Sequence, residues 1–211
     1  MRPFIHPRLP LRILALPVLL CWLSASPSAR SEINTDFQIT EISPQIIQTP
    51  TFNYSSAPLR TVRSKNWLSI DVTFTWQPSQ ANQNFADDVT VDYYVLLANR
   101  NAERPQGTML TGEVTHMNVP ARKRSLHSVM FATPRTLERF FDGQPPSSGN
   151  SAVFDVGITV SWRGKVVAQK SLRGSGAWWP QYPSVAGYLL NKNQTPFAPL
   201  YWEYYEDLKR P

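Results

Sequence analysis

The stretch Trp67-Leu-Ser-Ile-Asp-Val-Thr-Phe-Thr-Trp76 decides the fold class. Leu68, Ile70, Val72, Phe74 and Trp76 point one way and Ser69, Asp71, Thr73 and Thr75 the other, the two-residue period of a half-buried β-strand. The same alternation returns at Phe154, Val156, Ile158, Val160 and Trp162, set against Asp155, Gly157, Thr159 and Ser161. Two strands of one design predict one core. Arg163-Gly164 then turns the chain into Lys165–Leu172, with Val166, Ala168 and Leu172 on one side, which reads as a hairpin.

Between these segments, Val89–Leu97 is apolar on both faces towards its end, which predicts a central strand. Weaker strands are expected over Phe37–Ile42, Thr108–Met117 and Ser125–Phe131. Thr133-Pro134 ahead of Leu137, Phe140 and Phe141 predicts one capped helical excursion ending near Gly143, followed by a loop over Pro145–Asn150. The fold class is therefore mainly β: an immunoglobulin-like antiparallel β-sandwich of about seven strands with that one short helix. No repeat with a period of 20 to 50 residues is visible, against a solenoid or propeller.

Outside this body lie two segments of different character. Arg2, Arg8 and Arg12 precede an apolar run, Ile13–Ala25, and then small residues, the order of a secretory signal. A 13-residue helix rises only about 20 Å, short of a bilayer core of about 30 Å, so residues 1–29 read as a signal peptide rather than an anchor. Ala25, Ser28 and Ala29 are all candidate cleavage residues. Removal takes three of the 21 basic residues and no acidic one, lowering the net charge from +6 to +3. That balance gives no nucleic-acid signature. It also removes Cys21, the chain's single cysteine, leaving neither disulfide nor thiolate metal site, so stability must come from a buried core. The expected location is exported, in the periplasm or at the cell surface, with no membrane span after cleavage.

Residues 30–173 then form the sandwich and 174–211 an extension. Gly174-Ser-Gly176 reads as a flexible joint, after which nine aromatic side chains fall between Trp178 and Tyr205 and four prolines stiffen the backbone. Pro199 is placed to open a final helix with Leu200, Tyr201, Tyr204, Tyr205 and Leu208 as one stripe. Two readings fit the tail: it covers a sheet face or edge of its own domain, or it is an arm that docks on another subunit. Candidate interaction residues are Trp178, Trp179, Tyr201, Trp202 and Tyr205.

The segment Leu189-Leu-Asn-Lys-Asn-Gln-Thr-Pro-Phe-Ala-Pro-Leu-Tyr-Trp-Glu-Tyr-Tyr-Glu-Asp207, behind a cysteine-free sandwich and an export signal, resembles the pilus-like immunoglobulin-fold proteins encoded with type IV pilus components in Akkermansia and related verrucomicrobial bacteria. The resemblance implies an envelope protein in or beside a type IV pilus system and carries over no catalytic or ligand-binding residue. The expected mature start, Ser31-Glu-Ile-Asn-Thr-Asp-Phe37, has no prepilin junction of the Gly-Phe-x-x-x-x-Glu type and no following apolar helix, which favours an accessory or adaptor over a major pilin.

A search for chemistry finds little. His116 and His127 are the only histidines beyond the signal segment, and Glu113, three residues before His116, faces the opposite side of a strand. Neither Gly-x-Ser-x-Gly nor His-Glu-x-x-His occurs, and glycine-rich phosphate motifs are absent. Asp87, Asp88 and Asp92 lack EF-hand spacing and read as turn and strand residues, and Arg122-Lys-Arg124 reads as a solvated loop. The expectation is a non-enzymatic protein without cofactor or metal, working through protein contacts in the cell envelope, with type IV pilus components among its partners. The alternative is a carbohydrate-binding sandwich that stacks glycans on exposed tryptophans; an enzyme assembled from distant residues ranks third.

Overall fold

A computed structural model describes residues 36–52, 64–98, 107–174, 176–201 and 203–210. The signal-peptide reading and Trp202 fall outside them. The described residues are mainly β, with three sheets, mostly antiparallel, and two short α-helices. The long strands are β1 (Phe37–Gln48), β2 (Asn66–Trp76), β4 (Val89–Leu97), β5 (Met109–His116), β7 (Leu126–Ala132), β8 (Val153–Trp162) and β9 (Lys165–Ser171). Each overlaps a segment expected as a strand, with β1 running on to Gln48 beyond the expected Ile42. Among the described residues, four short strands bring the number to eleven rather than about seven: β3 (Phe85–Ala86) and β6 (Val119–Pro120) pair with each other, while β10 (Ser184–Ala186) and β11 (Leu189–Asn191) come from the tail.

One sheet has the order β1-β2-β7-β11 and another β10-β5-β4-β8-β9. They share one apolar core. Leu68, Ile70, Val72, Phe74 and Trp76 of β2 enter it from one side, and Val89, Val91, Tyr93 and Val95 of β4 with Val156, Ile158 and Val160 of β8 from the other, all without solvent exposure. Burying a side chain of this size contributes about 1.5–3 kcal/mol, so this interlock sets the registers of both sheets. β4 is central, flanked by β5 and β8, as its two apolar faces require.

The first helix, α1 (Pro134–Phe140), starts as expected, with the Thr133 hydroxyl accepting from the Thr136 N–H at 3.1 Å and Pro134 in the first turn. Three expectations need correction. The loop over Pro145–Asn150 contains the start of a second helix, α2 (Gly149–Ala152), held by a Ser148–Ser151 capping box that the proline-rich composition hid. Phe154 is not in the core but 60% exposed: β8 slips register against β4 between Leu96 and Leu97, and that irregularity puts Val153 inward instead. The chain also does not end in a helix among the described residues. Tyr201 sits at φ 53°, outside helical space, and the backbone groups of residues 206–209 bond to β5, β7 and Met117 rather than to the preceding turn.

No helix among the described residues is long and apolar enough to cross a membrane. The described residues lie in one compact unit bounded by Ser31 and Pro211, in which the extension packs on the body.

Candidate interaction surface

The extension leaves β9 through a joint that is pinned by a buried carboxylate. Asp155 accepts from the Ser171 hydroxyl at 2.8 Å and the Arg173 N–H at 3.0 Å, and the Ser171 oxygen accepts from the Gly174 N–H and the Trp178 indole N–H, each at 3.0 Å. Trp179 then drops onto the outer face of the five-stranded sheet. It stacks on Tyr94 at 5.0 Å and 10°, above Gly157, where an added Cβ would lie 2.2 Å from the indole ring. Only glycine leaves room for that approach. Leu96, Met109, Trp178 and Tyr182 complete the cluster.

Next, β10 pairs in parallel with β5, Gly187 turns the chain at φ 85°, and β11 pairs antiparallel with β7. One short segment thus covers an edge of each main sheet, which blocks templated strand addition there. At the opposite side, β1 carries Pro44, which has no N–H to offer, and Lys170 donates to the Thr40 carbonyl.

The last part of the tail lies over the outer face of the four-stranded sheet. Phe197 stacks on Phe131 at 4.9 Å and meets Trp67 edge-on. Tyr204 stacks on His127 at 3.9 Å, and the Tyr205 hydroxyl donates to Asp71 at 2.9 Å. Burial raises the Tyr205 phenol far above its ordinary range, the Asp71 charge adding to the effect, so the hydroxyl stays protonated as the donor. The end is fixed by Glu206 N–H to the His127 carbonyl, Met117 N–H to the Asp207 carbonyl and Lys209 N–H to the Thr115 carbonyl. Lys123 pairs with the buried Glu206 at 2.9 Å, and the Arg122 guanidinium donates to the Gln80 and Gln83 carbonyls, so two residues of this exposed loop also anchor it to the fold.

Beneath that end lies a polar network that sequence reasoning did not assemble. The Tyr93 hydroxyl donates to Ser128 Oγ at 2.7 Å, and Ser128 Oγ lies 2.8 Å from His116 Nε2. His116 Nδ1 lies 3.2 Å from the Glu206 carbonyl, which can only accept, so Nδ1 carries the proton and the Ser128 hydroxyl donates to Nε2. Burial lowers the His116 pKa to about 4, leaving the ring neutral at pH 7. A serine and a histidine in contact suggest a nucleophile, but Ser128 is fully buried and its proton is committed inward. The network ties both sheets to the tail. Its signal was present: Tyr93, His116 and Ser128 all stand at core-face positions of their strands, beside Val91, Val114 and Met130.

The tail covers only the β7 side of the four-stranded sheet and leaves a groove of about 450 Å³ towards β1. Glu41, Ser43 and Gln45 of β1 and Ser69, Asp71 and Thr73 of β2 line it, facing Tyr201, Tyr204 and Tyr205 across it, with Lys192 also in its lining. Tyr201 is 71% exposed and Tyr204 47%. Of the expected interaction residues, Tyr201 and Tyr205 therefore meet at one site. Trp178 and Trp179 lie on the other sheet, where Trp179 is only 6% exposed and serves packing, a correction that follows from the space left by Gly157. Asp87 and Asp88 shape the turn before β4, Asp87 accepting from the Asn118 N–H and Asp88 pairing with Lys209, while Asp92 faces Glu113 across the β4–β5 pair. No three His, Cys, Asp or Glu side chains converge as a metal site among the described residues.

A protein-family model matches residues 28–211, nearly the whole chain. The chain belongs to that family. A crystal structure of a protein from Akkermansia muciniphila is similar to it, with a TM-score of 0.68 at 23% sequence identity, covering 83% of this chain and 93% of that one. At that identity the likeness establishes a shared fold. No curated protein matches the sequence. Family membership thus covers body and extension together, in keeping with a tail that packs as part of the fold.

Proposed function

We propose that this chain is an exported, non-enzymatic protein that works through protein contacts as an accessory or adaptor component of a type IV pilus or related cell-surface assembly. On this reading its two facing sheets form an immunoglobulin-like sandwich, used as a rigid mount. The observation that carries the proposal is the exposed Tyr201–Tyr204 ridge beside an open groove, held on a sheet face by the Tyr205–Asp71 hydrogen bond. Tyrosines in a fixed orientation offer large contact area at little entropic cost, the property that makes them interface anchors. Sheet-edge pairing is less favoured, because the tail covers two edges and Pro44 with Lys170 obstructs a third. The family match begins at residue 28, beside the candidate cleavage residues Ser28 and Ala29, which supports export.

The test is crosslinking in intact source cells, capture of this protein and mass spectrometry, run with wild type and with Tyr201→Ala/Tyr204→Ala. Pilus-assembly or other surface-assembly proteins that co-purify with wild type and are lost with the variant support the proposal. Recovery of the chain alone from both counts against it. The carbohydrate-binding alternative loses Trp179, which is buried, and has Tyr201 and Tyr204 as exposed stacking rings. Soluble glycans that protect these tyrosines from chemical modification would favour it.

A further inference from the structure

We propose that the groove between the tail and β1 receives a basic side chain, an arginine above all, presented by a protein partner. The proposal deepens the protein-contact reading and rests on it. The floor places two carboxylates on one face. Glu41 pairs in register with Thr73 and Asp71 with Ser43, so the two acids are diagonal neighbours on the outer side of β1 and β2. Such positions lie about 7–8 Å apart at the backbone, a spacing that one forked cation can bridge.

The cation already at the groove is committed elsewhere. Lys192 is buried, donates to the Ala198 carbonyl at 2.8 Å and lies 5.8 Å from the Tyr205 ring centre. Glu41 has no ion-pair partner among the described residues, and Asp71 is held by the Tyr205 hydroxyl with His127 at 3.5 Å. Burial raises the Asp71 carboxyl above its ordinary range, opposed by the Tyr205 and His127 contacts, with the Glu41 charge the smallest contribution, so an incoming positive charge favours the ionised form of Asp71.

The walls select among cations. Tyr201 and Tyr204 offer exposed aromatic rings at the mouth, and a guanidinium combines ring stacking with two-pronged donation to carboxylate. A metal ion finds only two carboxylates here. A neutral sugar would stack on the rings but gain nothing from the paired charges. Ser43, Gln45 and Ser69 supply acceptors for the donors that the acids leave free.

The experiment is calorimetric titration of the chain with the blocked peptide acetyl-Gly-Arg-Gly-Arg-Gly-amide, its citrulline counterpart and cellobiose as a neutral sugar. Expected is saturable binding of the arginine peptide that weakens with salt, falls at least tenfold with citrulline, and falls about fivefold to tenfold in Glu41→Gln and in Tyr201→Ala. Both variants alter exposed side chains, and an unchanged urea unfolding curve confirms that the fold is intact. No saturable binding of the arginine peptide, equal binding of the citrulline peptide, indifference to Glu41→Gln, or cellobiose binding in its place overturns the proposal. If the peptide fails while the tyrosine variant still loses its partners in cells, the cation falls and the protein-contact surface stands. If the peptide binds but no surface-assembly protein is captured, the adaptor reading falls instead.

Discussion

The two outer sheet faces receive the same tail and use it differently. On the five-stranded sheet, Trp179 fills the space above Gly157 and stacks flat on Tyr94, closing the surface into a second small core. On the four-stranded sheet, Phe197 makes a comparable apolar contact with Phe131, but the chain then meets Asp71, Glu41 and a row of hydroxyl and amide groups and stops halfway across. Aromatic density alone therefore does not distinguish packing from display. What the sheet presents decides it: a glycine pit accepts a ring, whereas carboxylates and polar strand residues keep water and hold the tyrosines by their hydroxyl or by one ring face.

The largest test of this contrast is Trp179→Ala, which removes a ring that the fold has closed over. It is expected to destabilise the chain by about 4 kcal/mol in urea unfolding, and a loss below 1 kcal/mol would mean that this half of the tail is not core. The second test concerns the clamp at the tail's end. His116 is neutral in the fold with a pKa lowered from 6.5 to about 4, so its contribution is complete above pH 6.5, where the unfolded histidine is also neutral. As pH falls from 6.5 towards 4 the unfolded state binds a proton that the fold refuses, and stability drops by up to about 3 kcal/mol. Asp71, with its carboxyl raised, acts in the opposite direction, so the slope is compared between wild type and His116→Gln. The part that disappears in the variant belongs to His116; identical slopes would remove the clamp.

On the open face the effects are smaller. Tyr205→Phe deletes the hydroxyl that donates to Asp71 and is expected to cost about 1.5 kcal/mol, read as a shift in the unfolding midpoint. Tyr201→Ala is expected to change stability by less than about 0.5 kcal/mol, because the ring is mostly in solvent, while abolishing partner capture. A large stability loss there would turn the displayed ridge into core and erase the contrast between the faces.

The long strands were legible because alternation is a local signal: Trp67–Trp76 carries five inward residues without a break, and Val89–Leu97 showed its covered outer face through Tyr94 and Leu96. Thr133-Pro134 marked α1 for the same reason. The sequence was silent where three residues do the work of a strand, since Ser184–Ala186 and Leu189–Asn191 are too short to carry a period and exist only because β5 and β7 offer open edges. Phe154 misled because a single register slip reverses its side, which no alternation predicts. The site was half legible. Tyr201 and Tyr205 stood out as aromatic, but Asp71 read as an ordinary outward strand residue and Glu41 carried no signal of its own until the register placed them side by side under the tail.

The central claim is that the Tyr201 ridge is the working surface and the tryptophan face is internal structure. The direct measurement places a photoreactive phenylalanine at position 201 in one protein and at position 182 in another, irradiates each with the envelope fraction of the source cells, and identifies the adducts. The account predicts adducts to surface-assembly proteins from position 201 and none from position 182. Adducts from position 182 alone, or from neither position, would contradict it.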